Sequence, residues 1–294
     1  MTGRRVLRRL APAGWFVAGL VLLAALWELY KAVGPATGGR VLGMRLLPRT
    51  EDAAMPHVWT MLRAYSKPEI RGSSRSIFSV VLAGAWFTLR MALAGLVAGV
   101  VVGMVLAVAM ARFGLVRRAV LPYVVLSQTV PLIALAPLVV SWGGRLQLFG
   151  VTWQKWMSAA TISAFLAFFP VSVGALRGLL SPAPASIELM DSYAAGWWQT
   201  LVKLRLPASI PFLVPALKLA ASAAVVGTVV AEISTGLRGG IGRLIIEYSR
   251  EGTSQPAKVF TALIAAAGLG LVMAALVAAL DAFASRHRPK QLAT

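Results

Sequence analysis

Ile187-Glu188-Leu189-Met190-Asp191-Ser192-Tyr193-Ala194-Ala195-Gly196-Trp197-Trp198-Gln199 runs on through Thr200–Lys203 to Leu204-Arg205-Leu206-Pro207. It is a charged, helix-forming interruption between the two most apolar parts of the chain. A polar segment of this kind between membrane spans requires either solvent or a partner, and the sequence on both sides of it reads as membrane.

Hydrophobic residues make up 58% of the 294 and charged residues 13%, where ordinary soluble domains carry about 25% charged. Six stretches approach the roughly 20 apolar residues that cross a bilayer. They are Leu10–Trp27, Met91–Ala111, Ala119–Gly144, Trp156–Leu176, Leu206–Ala231 and Val259–Leu280. None alternates with the period of barrel strands, and backbone in lipid must satisfy itself, so each is expected to be helical. The composition therefore predicts an all-α polytopic membrane protein with six transmembrane helices.

The net charge of +19 does not indicate a nucleic-acid partner. The cations are scattered between spans, several at span boundaries where they meet lipid head groups. Arg4, Arg5, Arg8 and Arg9 before the first span resemble a signal peptide, but no small-residue cleavage site follows Trp27-Glu28. An uncleaved helix with a cytoplasmic N-terminus is expected. Six spans return the C-terminus to the same side, where Arg286, His287, Arg288 and Lys290 fit the excess of cations on cytoplasmic segments.

There is no cysteine, which excludes disulfides and thiolate chemistry. The two histidines, His57 and His287, lie far apart in sequence, so a histidine metal site is not expected. No phosphate-binding loop of the Gly-x-x-x-x-Gly-Lys-Ser/Thr kind is present, so the chain is not itself an ATPase.

Within the interruption, Pro182 and Pro184 end the preceding helix. Ser186 can cap a new one, with Glu188 favourably placed against its dipole. A second short helix, Trp197 to Leu204, is expected to end at Leu206-Pro207. Glu188 and Asp191 suit a partner's basic groove, and Trp197, Trp198 and Leu201 suit apolar burial. The plainer reading is an amphipathic surface helix with interfacial tryptophans.

The spacing Glu188, Ala194, Leu204-Arg205-Leu206-Pro207 resembles the signature loop of the inner-membrane permease subunits of bacterial ATP-binding cassette importers. That loop reads Glu-Ala-Ala, three residues, Gly, nine residues, Ile-x-Leu-Pro. Leu189 and Met190 replace its two alanines. Ala194 replaces its glycine, with Gly196 two residues later, so the turn is expected to shift toward Gly196, because alanine disfavours positive φ. Leu46-Leu47-Pro48-Arg49-Thr50 looks like the external Leu-Pro-x-Pro segment of the sulfonate, nitrate, taurine, pyrimidine and riboflavin branch, with Thr50 in the place of the second proline. Ala134-Leu135-Ala136-Pro137-Leu138 and Val230-Ala231-Glu232 followed by Gly239-Gly240-Ile241-Gly242 also look like that branch.

The resemblance implies a type I importer fold in the bacterial inner membrane with both termini cytoplasmic. Residues 1–34 would form an extra N-terminal transmembrane helix and 35–87 an external segment with short helices. Residues 88–283 would form a five-helix permease core with the coupling loop at 181–207, and 284–294 a cytoplasmic basic tail. It further implies two ATPase subunits that bind the ATP and Mg, an external solute-binding protein, and a second permease copy or homologue forming a dimer. The ATPase-coupling residues would be Glu188, Asp191, Ala194, Gly196, Trp198, Leu206 and Pro207.

For the solute pathway the candidates are polar or helix-breaking positions within spans: Gln128, Thr129, Pro131, Lys218, Ser222 and Glu232. A charge near mid-span such as Lys218 is costly and functional by default, unless it snorkels or pairs with an acid such as Glu28 or Asp281. Glu232 borders an outer gate or caps a helix end. Gly95, Gly99 and Gly103 share one helix face and allow close helix contact. The alternative function is a secondary transporter or channel not driven by ATP. It would need acids within the spans or broken helices in matching halves, and acids are nearly absent.

Overall fold

The computed structural model describes residues 3–41, 44–70, 72–144, 147–148, 151–252 and 255–284. These residues are overwhelmingly helical, with two two-stranded antiparallel hairpins as the only strands among them. Five helices are long and apolar enough to cross a membrane, and a sixth apolar region is a pair of helices bent by 102°. Of the basic tail anticipated at 284–294, all but Ala284 lies outside the described residues, as do the side chains of Arg4, Arg5, Arg8 and Arg9.

Two compact units can be distinguished. The first is built from Met1–Val80 and Glu247–Ala262. Its helix α1 (Gly3–Val33) is followed by hairpin β1 (Gly39–Val41) and β2 (Met44–Leu47) and by the short helix α2 (Val58–Ala64). The last turns of α1 hold the extended segment 48–58 in place. Trp27 Nε1 donates to the Pro56 carbonyl at 3.0 Å, Tyr30 Oη to that of Pro48 at 3.0 Å, and Lys31 Nζ to those of Thr50 and Met55 at 3.0 and 2.6 Å. Lys31 also pairs with Asp52 at 2.6 Å, and this ammonium holds the exposed Asp52 carboxyl below its ordinary pKa. Glu28 accepts from Val58 N and pairs with His57 Nδ1, both at 2.7 Å. A carboxylate at the first turn of α2 supplies the cap that His57 does not. Thr50 is buried, and its Oγ1 donates to the Gly34 carbonyl at 3.0 Å. That bond is a local reason for a hydroxyl residue at this position.

The second unit is Val81–Ile246 with Leu263–Thr294. Its long helix α3 (Ile77–Arg112, beginning in the first unit) is a single rod of 36 residues. Arg90 and Arg112 lie 22 residues apart on it. At 1.5 Å per residue they are separated by about 33 Å, close to the ~30 Å hydrocarbon thickness. Their placement brackets the Met91–Ala111 span.

Next come α4 (Gly114–Leu126), α5 (Leu132–Gly143), hairpin β3 (Gln147–Leu148) and β4 (Val151–Thr152), and α6 (Lys155–Leu179). The chain continues through α7 (Pro184–Ser192), α8 (Trp197–Thr200), α9 (Leu206–Thr235), α10 (Ile241–Arg250) and α11 (Pro256–Ala284).

The third span expected at Ala119–Gly144 is not one helix. A 3₁₀ turn at Ser127–Thr129 ends the first half, Val130 is extended (φ −74°, ψ 124°), and Pro131 caps α5. The proline ring disfavours helical geometry at the residue before it, and its missing N–H removes a helical bond.

Helix α6 is central to this unit, with half of its most apolar window buried. Its neighbours approach through small residues. A Cβ on Gly95, Gly99 or Gly103 of α3 would collide with Ser163, Ala167 or Val171 of α6. Gly174 and Gly178 meet Ala216 and Ser209 of α9 in the same way. Ser163 Oγ donates to the Ala224 carbonyl of α9 at 2.8 Å. In lipid, close packing and such interhelical bonds replace the hydrophobic drive, and a bond of this kind contributes about 0.6 kcal/mol on average.

Candidate functional site

The interruption between α6 and α9 folds as two helices joined by a tight turn. Ser186 is not the cap of α7. Ala183 occupies that position and Pro184 takes the first helical one, where its fixed φ and missing N–H suit a helix start. At the other end the turn does not shift to Gly196. Ala194 itself adopts the left-handed conformation (φ +52°), whereas Gly196 is at φ −66°. Ala195 N donates to the Met190 carbonyl at 3.0 Å and Ala194 N to that of Asp191 at 2.9 Å. This pair of bonds is the Schellman closure, whose left-handed position normally holds glycine. Gly196 instead caps α8, and its N–H donates to Gln199 Oε1 at 3.2 Å.

Beyond α8 the helix does not end at Leu206-Pro207. It passes through a π-helical stretch, Leu201–Arg205, directly into α9, giving one continuous rod from Trp197 to Thr235. Pro207 cannot donate to the carbonyl four residues back. The widened register just before it lets the helix continue across that gap.

The root of this element is buried and its tip is exposed. Leu201 is 3% exposed and packs with Ala107 and Met110 of α3 and Ala175, Leu176 and Leu179 of α6. Arg205 Nη1 donates at 3.0 Å to the carbonyl of Leu179, the last residue of α6, which has no partner within its own helix. Trp197 receives the guanidinium of Arg112 on its ring face, 5.1 Å from the centroid. Glu188, Asp191, Ala194, Gly196 and Pro207 are exposed, Trp198 is 70% exposed, and Leu206 is half-buried. Leu189 and Tyr193 add large exposed apolar surface. The positions singled out by spacing thus divide into an exposed face and a root. The holding residues Arg112 and Arg205 carried no signal in sequence beyond their charge.

The pathway candidates fall into three settings. Gln128, Thr129 and Pro131 are exposed at the break between α4 and α5. Thr129 Oγ1 turns back to the Leu126 carbonyl at 2.8 Å, and Gln128 Nε2 reaches Ser127 Oγ at 3.3 Å. Lys218 and Ser222 are half-buried one turn apart on α9, with Ser222 Oγ donating to the Lys218 carbonyl at 3.3 Å.

Glu232 is different. It is fully buried, accepting from Thr88 Oγ1 at 2.8 Å and Gly242 N at 2.7 Å, while Thr88 Oγ1 accepts from Ile241 N at 2.9 Å. The carboxylate and the threonine together satisfy the free N–H groups that start α10. Gly240 and Gly242 are required because a Cβ on either would strike the Glu232 side chain. The Gly-Gly-Ile-Gly pattern is therefore a seat for this carboxylate.

Residues 99–286 match the model of the binding-protein-dependent transport system inner membrane component family. The chain belongs to that family, which makes it a multi-pass inner-membrane component of a transport system. It is 31% identical over 153 residues to a Haemophilus influenzae protein named "Probable ABC transporter permease protein", covering 52% of this chain and 58% of that one. It is 32% identical over 152 residues to the formylaminopyrimidine transport permease protein ThiX of Halalkalibacterium halodurans, covering 50% and 57%. The riboflavin transport system permease protein RibX of Chloroflexus aurantiacus shares 30% identity over 128 residues, 44% of each chain. The chain thus spans little more than half the length, or less, of these curated relatives.

Proposed function

We propose that the chain is the membrane-spanning subunit of an ATP-driven importer, and that residues 181–207 are where a cytoplasmic ATPase docks and drives alternating access. The observation that most supports this is mechanical. Glu188, Asp191 and Trp198 are exposed on a helix pair whose root is buried at Leu201 and tied to α6 through Arg205. The second helix of the pair, α8, continues unbroken into α9, and α7 is closed onto it by the tight turn at Ala194. A displacement applied to α8 is therefore carried into a span without a loop to absorb it.

In this reading the ATPase subunits hold ATP and Mg, and this chain performs no catalysis. An external binding protein delivers a small organic solute, and a second permease copy or homologue completes the pathway. Residues 1–34 act as an added N-terminal span, 35–87 stay outside, and both termini face the cytoplasm. Gln128, Thr129, Pro131, Lys218 and Ser222 contribute lining from the third and fifth spans. Glu232 enters as the anchor of α10 beside that route.

The test is charge reversal at the exposed tip. Glu188→Arg is expected to weaken co-purification of the ATPase subunit by the 2–5 kcal/mol (about 30-fold or more) typical of a lost interfacial charge pair. The variant should still insert in the membrane, because the Glu188 side chain is exposed on α7. Retention of the ATPase at the wild-type level would sink the docking assignment.

A further inference from the structure

Arg112 closes α3 in an unusual setting. Its guanidinium lies 5.7 Å from the Phe113 ring centroid and 5.1 Å from that of Trp197. Among the described residues no carboxylate stands within salt-bridge distance of it. Beside it opens an apolar groove of about 550 Å³, walled by Met104, Val105, Val108, Ala109 and the two tryptophans 197 and 198. The groove continues along α3 as an exposed strip of Val97 (62% exposed), Val101 (57%) and Val105 (63%). Spacings of three and four residues put these positions on one helix face with Arg112. From Val97 to Arg112 the strip is about 22 Å long at 1.5 Å per residue. Half the hydrocarbon core of a bilayer is about 15 Å.

We propose that this groove is a binding site for an anionic phospholipid of the leaflet on the side of residues 181–207. The phosphate pairs with Arg112, and one acyl chain lies along Val108, Val105 and Val101. Charge complementarity selects the occupant. Among the described residues the cation has no acidic partner, the track leading from it is wholly apolar, and paired tryptophans at the rim are the side chains that favour the head-group level. The Phe113 and Trp197 rings hold the guanidinium in place without neutralising it, which leaves its N–H groups free for a planar, two-point contact with phosphate oxygens.

Native mass spectrometry of the purified full-length chain, offered equal phosphatidylglycerol and phosphatidylcholine, reads the preference directly. Wild type should retain phosphatidylglycerol in excess. Arg112→Gln should reduce that excess about fivefold, the equivalent of about 1 kcal/mol for one cation at an anionic surface, and Arg112→Lys should keep most of it. Equal retention of the two lipids by wild type, or an unchanged ratio in Arg112→Gln, overturns the proposal.

A second measurement does not depend on the Arg112 variants folding. In vesicles of fixed composition, brominated phosphatidylglycerol should quench wild-type tryptophan fluorescence more than brominated phosphatidylcholine. The difference should vanish in the Trp197→Phe, Trp198→Phe double variant. Equal quenching by both lipids in wild type speaks against the site. If Arg112→Gln instead releases the ATPase subunit while lipid retention is unchanged, the groove serves a protein partner and the lipid assignment is wrong.

Discussion

Ala194 is the residue at which side-chain identity and backbone demand disagree. The turn after α7 needs a left-handed residue, and a Cβ in that conformation meets the following carbonyl at a cost of about 1–2 kcal/mol. The chain tolerates the cost because both Schellman bonds form and because the neighbouring turn to α8 leaves only the extended region for Gly196. Ala194→Gly is therefore expected to stabilise the α7–α8 turn by about 1 kcal/mol, partly offset by the greater freedom of glycine in the unfolded chain. Hydrogen exchange of the Ala195 amide is the suitable measurement, with slower exchange in the variant as the expected outcome. Faster exchange would mean that the turn is not closed as described. Glu232 makes the opposite point at the same scale. A carboxylate this deeply buried persists because donors meet it from Thr88 and from the backbone of Gly242.

At the scale of elements, the break between α4 and α5 is the departure from regular helix with most bearing on the proposed pathway. A single straight helix over that region would carry Gln128 and Thr129 in a continuous wall. The 102° bend instead presents them at a corner, with Pro131 fixing the entry to α5. Polar side chains at a corner within a span are the ones best met by water or solute. Thr129→Trp is expected to block uptake while leaving ATPase docking intact, since residue 129 is exposed and distant in sequence from the 181–207 segment. Reconstituted transport together with ATPase co-purification checks this. Undiminished uptake at normal expression would remove the corner from the pathway.

At the scale of the whole molecule, the question is which side of the membrane each end of α3 faces. The helix is one unbroken rod long enough to cross, so the residues flanking it must lie on opposite sides. The native chain has no cysteine, so single-cysteine labelling has no background. Ser74→Cys, exposed just before α3, is expected to react with a membrane-impermeant maleimide applied outside. Gly114→Cys, where a Cβ meets nothing within 4 Å, should be reached only after permeabilisation. The reverse pattern would invert the orientation and put residues 181–207 on the wrong side for an ATPase.

What the amino-acid order determined by itself was the membrane class, the positions of the long apolar helices, the glycine face of α3 and the location of the polar helix pair. These depend on local composition and on the 3.6-residue period, which are legible wherever burial is in lipid and every apolar stretch must be helical. The turn at Ala194, the continuation of α8 through Pro207 into α9 and the capping of α7 by Ala183 were decided by the tertiary structure. Each weighs a local preference, of about 1 to 3 kcal/mol, against packing that only the assembled helices provide. The same holds for Glu232, Thr88, Thr50, Arg112 and Arg205. Their side chains are ordinary in sequence and acquire a role only from the backbone groups and rings that the fold brings beside them. A pattern read along the chain records spacing within an element, whereas these contacts join elements far apart in sequence, so only the packed structure could reveal them.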